Sequence, residues 1–403
     1  MPAEMLPTVT YFATLLGFGV LVTGLSRRVN IPEAVFMLLV GLAFSPTFFN
    51  LVDINLMGDI PEFLRTLALI IIVFASSFHL KLDTFKKVSN ISLKMSFGGF
   101  FFTMFFMALC AHFIFGLSTL GSLLLGSIVG GTSSAAIYTF RGALEKEKHA
   151  FDILTVESIF TDPLTVLVPV LLLSAITGGV TSGTFYISQF WQMIAAGVGT
   201  GVVIGFAAVE VFKHTQRELS PILSFAIAMI TYAMASNVGG SGILAVALCA
   251  MILGNLKIPH KEIIGEFEDS LSIMLTISVF TLLGAQISLS FGDGLLFKEI
   301  IFLAILIFFA RPVLAILSLA KTNTNLPDTL LIAFTGPRGV ASAAMAAIPV
   351  TFALRENIEW LIPEAELILL TTFMVILFTM LSSTIVGFIF SRIGSSAEEQ
   401  NSN

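Results

Sequence analysis

Charged residues are scarce in this sequence of 403 residues, where Asp, Glu, Lys and Arg together make up only 11%. Soluble domains carry about a quarter of charged residues. Hydrophobic residues make up 56% of the chain, which contains 39 phenylalanines. A water-soluble protein could not bury so much apolar surface. The composition therefore excludes an ordinary soluble fold and predicts that the chain lies in a lipid bilayer.

Cysteine is almost absent, since only Cys110 and Cys249 occur and both lie in apolar runs. Two such residues indicate packed thiols and exclude a disulfide or cysteine metal framework. No glycine-rich phosphate-binding pattern is found in the loops assigned below to the cytoplasm. We therefore expect no nucleotide, no cofactor and no nucleic acid as partner. No short cleavable signal is evident, because the first apolar run continues into a loop with two arginines.

Apolar runs long enough to cross a bilayer recur to the end of the sequence. They predict an all-α membrane protein with about thirteen transmembrane helices. The runs, numbered segments 1 to 13 in chain order, lie at residues 8–25, 31–48, 63–79, 92–116, 119–140, 150–176, 186–212, 220–236, 241–256, 269–289, 297–319, 328–352 and 364–392. The short polar tail at 393–403 is expected to be disordered.

The basic residues are distributed unevenly between the two sides of the predicted bundle. Fifteen of the 20 follow odd-numbered segments: Arg27, Arg28, Lys81, Lys86, Lys87, Lys94, Arg141, Lys146, Lys148, Lys213, Arg217, Lys257, Lys261, Lys321 and Arg392. Only Arg65, Lys298 and Arg355 lie on the other side. Cytoplasmic loops carry an excess of Lys and Arg. This pattern predicts a cell-membrane protein with its N-terminus outside and its C-terminus in the cytoplasm.

Segment 6 carries a polar stripe within an apolar run. Ser158, Thr161, Asp162 and Thr165 are spaced at i, i+3, i+4 and i+7, which places them on one helical face. A charge at membrane depth is costly, so it usually lines a cavity or meets a partner. The stripe offers hard oxygen ligands for a small cation or a proton, and Pro163 loosens the helix beside them. The alternative is that these groups only join neighbouring helices.

Glu157 lies five residues before Asp162, so the two carboxyl groups are rotated by about 140° around the helix. They are not expected to share one ion as a pair. Arg311, in the middle of segment 11, is the natural partner for Glu157. An ion pair between them would neutralise both charges and join two helices. We favour this structural role over direct contact of Glu157 with an ion.

Two glycine-rich stretches interrupt segments 5 and 12, in SIVGGTSSAAIY and AFTGPRGVASAA. Their break-forming residues are Gly130, Gly131, Gly336, Pro337, Arg338 and Gly339. Such stretches favour interrupted helices that expose backbone groups to a binding site, although they could also be small-residue packing faces. Arg338 would offset the negative ends of opened half-helices.

The two breaks occupy matching positions in the chain, which indicates inverted repeats within one transporter domain. Repeat one covers about 8–176, a connector helix covers 186–212, and repeat two covers about 220–392. Each repeat then has six helices, and the two repeats have opposite orientations.

These motifs resemble those of the monovalent cation:proton antiporter superfamily, in particular its branch of sodium/proton exchangers with thirteen helices. ESIFTD at 157–162 is similar to the branch's segment 6 signature, with Asp162 at the place of the ion-binding aspartate and Thr161 replacing an asparagine. GPRG at 336–339 resembles the motif of the second crossed helix. The resemblance implies that Glu157 pairs with Arg311 and that the protein is a homodimer.

GGTSS resembles the motif of the first crossed helix, where Thr132 matches and Ser133 replaces the usual acid. In FASSFHLK, Ala75 stands where the family has a glutamate. The expected ion and proton site is therefore formed by Asp162, Ser158, Thr161, Thr132 and Ser133. Because two acids of the usual sodium site are missing, sodium is the favoured ion but lithium and potassium remain open.

A single carboxyl group can serve as the shared site for a proton and a cation. Removal from water favours its neutral form, so protons compete with the cation. Asp162 is neutral with either ion bound, whereas the bare anion is too costly to carry across the membrane. One titrating acid predicts electroneutral exchange of one cation for one proton by alternating access.

Three alternatives compete with a sodium/proton antiporter. A potassium/proton antiporter on the same fold fits equally well, because selectivity depends on fine cavity geometry. A cation-coupled symporter of an organic solute would need more polar residues in segments 3, 10 and 12 than the sequence has. An intramembrane hydrolase would need a second catalytic group at depth. None is apparent, so we do not expect an enzyme.

Overall fold

The structure is a computed structural model, and it describes residues 13–14, 17–26, 31–49, 57–139, 147–178, 183–288, 294–320, 322 and 324–401. Every regular element within these residues is helical, which confirms the predicted all-α class. Some of the basic residues that orient the chain lie outside the described residues. These are Arg27, Arg28, Arg141, Lys146 and Lys321, together with the side chain of Arg392.

The first half of the chain forms helices that follow the first predicted repeat. They are α1 (Gly17–Ser26), α2 (Glu33–Phe44), α3 (Ile60–Phe78), α4 (Leu82–Leu93), α5 (Phe100–Phe115), α6 (Thr119–Ile128), α7 (Ser134–Thr139) and α8 (Lys148–Thr177). A π-helical turn at Lys94–Gly99 joins α4 to α5, so segment 4 is one long helix with an irregular turn.

The second half begins with the connector helix α9 (Gly183–Lys213). It is followed by α10 (Ser220–Asn237), α11 (Gly242–Asn255), α12 (Lys261–Ala285), α13 (Leu295–Ile305), α14 (Arg311–Leu319), α15 (Leu326–Phe334), α16 (Val340–Ala346), α17 (Ile348–Arg355) and α18 (Leu361–Asn401). A second π-helical turn, at Leu306–Ala310, joins α13 to α14. The two π turns lie in segments 4 and 11, the fourth segment of each predicted repeat.

Eight helical stretches of the described residues are long and apolar enough to cross a membrane, and five shorter apolar helices accompany them. Each predicted segment overlaps one of these stretches. The number of thirteen crossings itself stays a prediction. The last helix differs from expectation, because α18 continues to Asn401 through a tail predicted to be disordered. Ala, Glu and Gln in this tail are good helix formers, so they can extend a helix that is already in place.

Segments 5 and 12 are both interrupted, as predicted. The chain leaves α6 at Ile128 and re-enters a helix at Ser134, and it leaves α15 at Phe334 and re-enters at Val340. The two breaks touch, since the backbone N–H of Ser133 donates to the carbonyl of Pro337 at 2.9 Å. The close approach requires glycine, because a Cβ atom at position 339 would collide with the Ser133 side chain.

The helices gather into two packed groups with the crossing between them. In the first group α2 and α3 pack on α12, and α11 packs on α3 and α9. In the second group α5 packs on α6 and α13, and α18 packs on α6, α13 and α17. Helices α8 and α16 contact members of both groups. The polar segment 6 and the second break therefore lie between two hydrophobic cores.

Candidate functional site

Asp162 lies in the middle of α8, where only 6% of its surface is exposed. One carboxylate oxygen accepts a hydrogen bond from the hydroxyl group of Ser134 at 3.0 Å. Ser134 is the first residue of α7, directly after the break in segment 5. The carboxyl group is thus held at the point where the interrupted helix resumes.

The predicted ligands of the site are assembled around the break, but their observed hydrogen bonds join them to one another and to the backbone. The Thr161 hydroxyl accepts from the backbone N–H of Thr132 at 3.2 Å and lies 3.3 Å from the Thr132 hydroxyl. Ser158 donates to the carbonyl of Thr155 at 2.9 Å in its own helix. Thr161 therefore ties α8 to the first break rather than bonding to Asp162.

Ser133 was the ligand expected from the sequence, whereas the structure places the neighbouring Ser134 on Asp162. Ser133 precedes α7, and its hydroxyl accepts from the backbone N–H of Ala136 at 3.4 Å, as an N-cap does. The backbone N–H of Ser133 donates a hydrogen bond to the carbonyl of Pro337. Serine is favoured at an N-cap, but positions 133 and 134 are both serines, so this preference could not assign the two roles from the sequence.

A cavity of about 910 Å³ reaches the break from one end of the bundle. Its charged lining residues are Glu33, His79, Lys81, Asp152 and Asp269. Ser133, Val340 and Thr276 line its inner part. Asp162 is not a lining residue, but Ser133 is adjacent in the chain to the serine that contacts it. An ion that enters the cavity would therefore reach Asp162 past the first break.

Glu157 and Arg311 form a bidentate ion pair between α8 and α14. The Arg311 Nη1–Glu157 Oε1 distance is 2.6 Å and the Nη2–Oε2 distance is 2.8 Å. Both side chains are buried, with 2% and 4% of their surfaces exposed. Arg311 also donates to the carbonyl of Thr335, at the start of the second break, at 3.2 Å. Glu157 therefore faces away from Asp162, as their five-residue separation predicts.

Arg338 lies at the crossing and bonds to both breaks. Its Nε donates to the carbonyl of Val129 at 2.9 Å, and its Nη1 donates to the carbonyl of Gly336 at 2.6 Å. Val129 directly follows α6, whose C-terminal end carries partial negative charge. The guanidinium thus lies where the sequence analysis expected a positive charge, at the end of an opened half-helix.

The glycines of the two breaks allow close contacts that a side chain would block. A Cβ atom at Gly131 would collide with the Thr165 hydroxyl, and one at Gly336 would lie 2.9 Å from Arg311 Nε. Gly130 packs against the ring of Phe100, where a Cβ atom would lie 3.2 Å from the ring. These positions explain why small residues cluster in GGTSS and GPRG.

Glu268 and Glu299 carry carboxyl groups that are buried away from this site. Glu268 on α12 accepts from the Ser224 hydroxyl on α10 at 2.6 Å. Glu299 on α13 accepts from the Thr371 hydroxyl on α18 at 2.6 Å. Each joins two helices through one hydrogen bond, which is a common use of polar residues in membrane proteins. Neither was expected from the sequence, because both lie near the ends of apolar segments.

The model of a known transporter family, described as the transmembrane part of sodium/hydrogen exchangers, matches residues 14–392. The chain belongs to the sodium/hydrogen exchanger family. One relative in this family is the probable Na⁺/H⁺ antiporter 2 of Methanocaldococcus jannaschii. It is 28% identical over 393 residues, which cover 91% of this chain and 92% of the relative.

Another relative is the K⁺/H⁺ antiporter NhaP of Alkalimonas amylolytica, which is 25% identical over 354 residues. The match covers 85% of this chain but 60% of that longer protein. Among solved structures, the sodium proton antiporter MjNhaP1 of Methanocaldococcus jannaschii superposes with a TM-score of 0.87 at 22% identity. The superposition covers 96% of this chain and 98% of MjNhaP1, so the two exchangers share one fold.

Proposed function

We propose that this protein is a secondary active antiporter that exchanges a monovalent cation for protons, with Asp162 binding either ion in turn. The observation that carries the proposal is the position of Asp162. It is a buried carboxyl group in mid-helix, bonded to Ser134 at the crossing of two interrupted helices, and the neighbouring Ser133 lines a cavity. Membership of the sodium/hydrogen exchanger family supports this choice over an enzyme or a symporter.

The mechanism follows from the cost of a bare charge in a dry site. Asp162 is neutral when protonated and neutral again with a monovalent cation bound, so either form can move between the two faces of the membrane. The empty carboxylate cannot move, because a buried unpaired charge is costly. Since Glu157 is held by Arg311, one carboxyl group remains for transport. One cation is then exchanged for one proton, without net charge movement.

Sodium is the cation we favour, with lithium as a further substrate. Potassium is the second candidate, because one relative is named as a K⁺/H⁺ antiporter. Ser158, Thr161 and Thr132 surround the break and supply further oxygen atoms for the ion, whereas the Ser133 hydroxyl caps α7. The hydroxyl group of Ser134, which bonds to Asp162, is a more direct ligand for the ion than these hydroxyl groups.

The cavity is most simply the entrance of an inward-facing state. Lys81 and Asp152 line it, and the basic loops on this side are those assigned to the cytoplasm. The protein then lies in the cell membrane with its N-terminus outside and its C-terminus inside. We further propose a homodimer, as the resemblance to thirteen-helix exchangers implies. The connector helix α9 exposes apolar residues such as Trp191, Val203 and Phe206 that lipid or a second copy can cover.

The first prediction is that Asp162→Asn abolishes exchange, because an amide can neither bind a proton nor neutralise a cation. The measurement uses purified protein in liposomes with a pH-sensitive dye inside, to which sodium, lithium or potassium is added. The exposed Asp83 on α4 provides the matched control, since Asp83→Asn leaves the site intact and is expected to retain exchange. Cation-dependent proton movement that persists in folded Asp162→Asn protein would exclude Asp162 as the shared site.

A further inference from the structure

The chain passes from one packed group of helices to the other at a short turn between α3 and α4. The residues of this turn, His79, Leu80 and Lys81, line the cavity. Before the turn, α3 packs on α11 and α12 of the first group. After the turn, α4 continues through the π-helical turn into α5, which belongs to the second group. The turn therefore joins the two groups between which the candidate site lies.

The side chain of Asn255, at the end of α11, binds both backbone polar groups of this turn. Its Oδ1 accepts from the backbone N–H of Leu82 at 2.7 Å, and its Nδ2 donates to the carbonyl of Leu80 at 2.8 Å. Leu82 is the first residue of α4, where a helix has no internal partner for the N–H group. Nδ2 also donates to the carbonyl of Met251 in its own helix at 2.8 Å. One half-buried amide group thus fixes the start of α4 on α11.

Further contacts hold the beginning of the same turn on the first group. A Cβ atom at Gly254 would collide with the carbonyl of Phe78, so α11 and the end of α3 are in close backbone contact. The ammonium group of Lys261, at the start of α12, donates to the carbonyl of Gly254 and lies 5.8 Å from the centre of the Phe78 ring. Nε2 of His79 lies 3.0 Å from Oδ1 of Asp269 on α12. The turn is therefore attached to α11 and α12 on both sides.

Beyond the turn, α4 is attached to α8, the helix that carries Asp162. The two helices pack on each other, and the Ser92 hydroxyl donates to the carbonyl of Ile153 at 3.2 Å. In the π-helical turn that follows α4, the Ser96 hydroxyl lies 3.0 Å from the carbonyl of Glu157. Helix α4 therefore connects a point held by α11 with the helix of the proposed ion site.

Alternating access requires the two groups of helices to change their relative positions, because the cavity at one end must close when the other end opens. We propose that Asn255 is a positioning residue for this motion. It fixes the turn at 79–82 as the pivot about which α4 and α8 move relative to α11 and α12. Asn255 is not a ligand of the ion and acts through the start of α4. The proposal rests on the antiport function proposed above and names a residue on which its rate depends.

The second prediction is that Asn255→Ala slows exchange without weakening the binding of sodium. The maximal rate should fall by about three- to tenfold, as the loss of hydrogen bonds to the turn would cause. The sodium concentration for half-maximal exchange should change by less than about twofold, because Asp162 keeps its contact with Ser134. Exchange is measured in liposomes over a range of sodium concentrations, and the rates are normalised to the amount of folded protein.

The exposed Asn90 on α4 supplies the matched control, since Asn90→Ala removes an amide group that lies away from the turn and should retain the wild-type rate. A role of Asn255 in stability alone would lower the unfolding temperature and the yield of Asn255→Ala, but not the rate per folded molecule. A higher half-maximal sodium concentration would instead locate the effect at the ion site. Either result would refute the pivot.

A covalent link distinguishes a pivot from a contact that must break in each cycle. Leu82→Cys and Asn255→Cys are combined in protein whose Cys110 and Cys249 have been replaced. Because the bonded atoms of Leu82 and Asn255 are 2.7 Å apart, oxidation with copper phenanthroline is expected to join the two thiols as a disulfide. The reduced protein should exchange as slowly as Asn255→Ala, whereas the disulfide should restore most of the wild-type rate.

The opposite outcomes are equally clear. An oxidised protein that exchanges no faster than the reduced one would show that the turn has to leave α11 during exchange, and thiols that fail to join would show that it is not held there. Both results contradict the pivot. Wild-type exchange by Asn255→Ala would refute the pivot and leave antiport intact. Wild-type protein that moves no protons with any alkali cation would instead refute the antiport function.

Discussion

At the scale of single residues, the hydroxyl of Ser134 determines how Asp162 is held. The hydrogen bond of 3.0 Å stabilises the ionised carboxylate, which is the form proposed to bind a cation. Ser133, one position earlier, is instead occupied with the end of α7 and with the carbonyl of Pro337. The two adjacent serines therefore make different contacts, although both belong to the GGTSS motif.

The third prediction follows from this difference. Ser134→Ala should raise the sodium concentration for half-maximal exchange by about three- to tenfold, because the carboxylate loses a donor. Ser133→Ala is the matched variant, and its effect should be smaller because the helix cap it removes is weak. Both are measured in liposomes at fixed pH over a range of sodium concentrations. A larger effect for Ser133→Ala would favour the ligand that the sequence alone selected.

Charged residues in apolar segments are the most informative signal in the sequence alone. Asp162, Glu157 and Arg311 could be selected because burial of a charge is too costly to persist without a use. The choice between Ser133 and Ser134 could not be made in the same way. It depends on a backbone hydrogen bond to Pro337, some 200 residues farther along the chain. A single sequence contains no direct signal for such a tertiary contact.

At the scale of elements, the π-helical turn at Leu306–Ala310 positions the ion pair. Arg311 follows this turn directly, and Pro312 comes next in α14. A proline has no N–H to donate, so the carbonyl of Phe308 loses its regular partner and a wider turn is tolerated. The turn leaves the Arg311 guanidinium facing Glu157 on α8. Pro312 was the sequence signal for this irregularity, whereas Gly98 and Gly99 are a weaker signal for the matching turn in segment 4.

The fourth prediction is that Glu157→Gln destabilises the protein more than it affects the chemistry of exchange. It would leave Arg311 buried without a counter-charge, which costs about 3–5 kcal/mol in comparable pairs. The double variant Glu157→Gln/Arg311→Gln should recover part of this loss, because no unpaired charge remains. Thermal unfolding of purified protein in detergent measures the effect. The exposed Glu218 supplies the control, since Glu218→Gln should unfold like the wild type.

The alternative role for Glu157 gives a different result in the same experiment. If Glu157 contacts the transported ion, Glu157→Gln protein would unfold at the wild-type temperature and yet be inactive. The observed pair contradicts that role on geometric grounds, because both carboxylate oxygens are already bonded to Arg311. Helices α8 and α14 are thus joined at the level of the crossing, and Asp162 is left as the proposed exchange site.

At the scale of the whole molecule, the helices could be located from the sequence but their packing could not. Continuous apolar runs such as those of α8 and α18 are direct consequences of the bilayer. The crossing of segments 5 and 12 was implied by the resemblance to the exchanger family, not by any local pattern. The contacts of α8 and α16 with two hydrophobic groups depend on side chains from many segments. The helical tail of α18 shows that a polar composition alone does not exclude helix formation.

The orientation of the molecule in the membrane is inferred from the uneven distribution of Lys and Arg over the whole sequence. The turn after α9 follows an odd-numbered segment and is assigned to the cytoplasm, whereas the turn before α18 is assigned to the outside. Each turn has an exposed acidic residue, Glu218 in the first and Glu359 in the second. Reporter cysteines at these positions can therefore read the two faces of the membrane separately.

The fifth prediction is that Glu359→Cys reacts with a membrane-impermeant maleimide in intact cells and Glu218→Cys does not. Each reporter is placed in protein whose own Cys110 and Cys249 have been replaced, which removes the half-buried and the buried native thiol as targets. Inside-out vesicles should give the opposite labelling, because they expose the cytoplasmic face. Labelling of Glu218→Cys in intact cells would reverse the orientation, and the cavity bounded by Lys81 and Asp152 would then open to the outside.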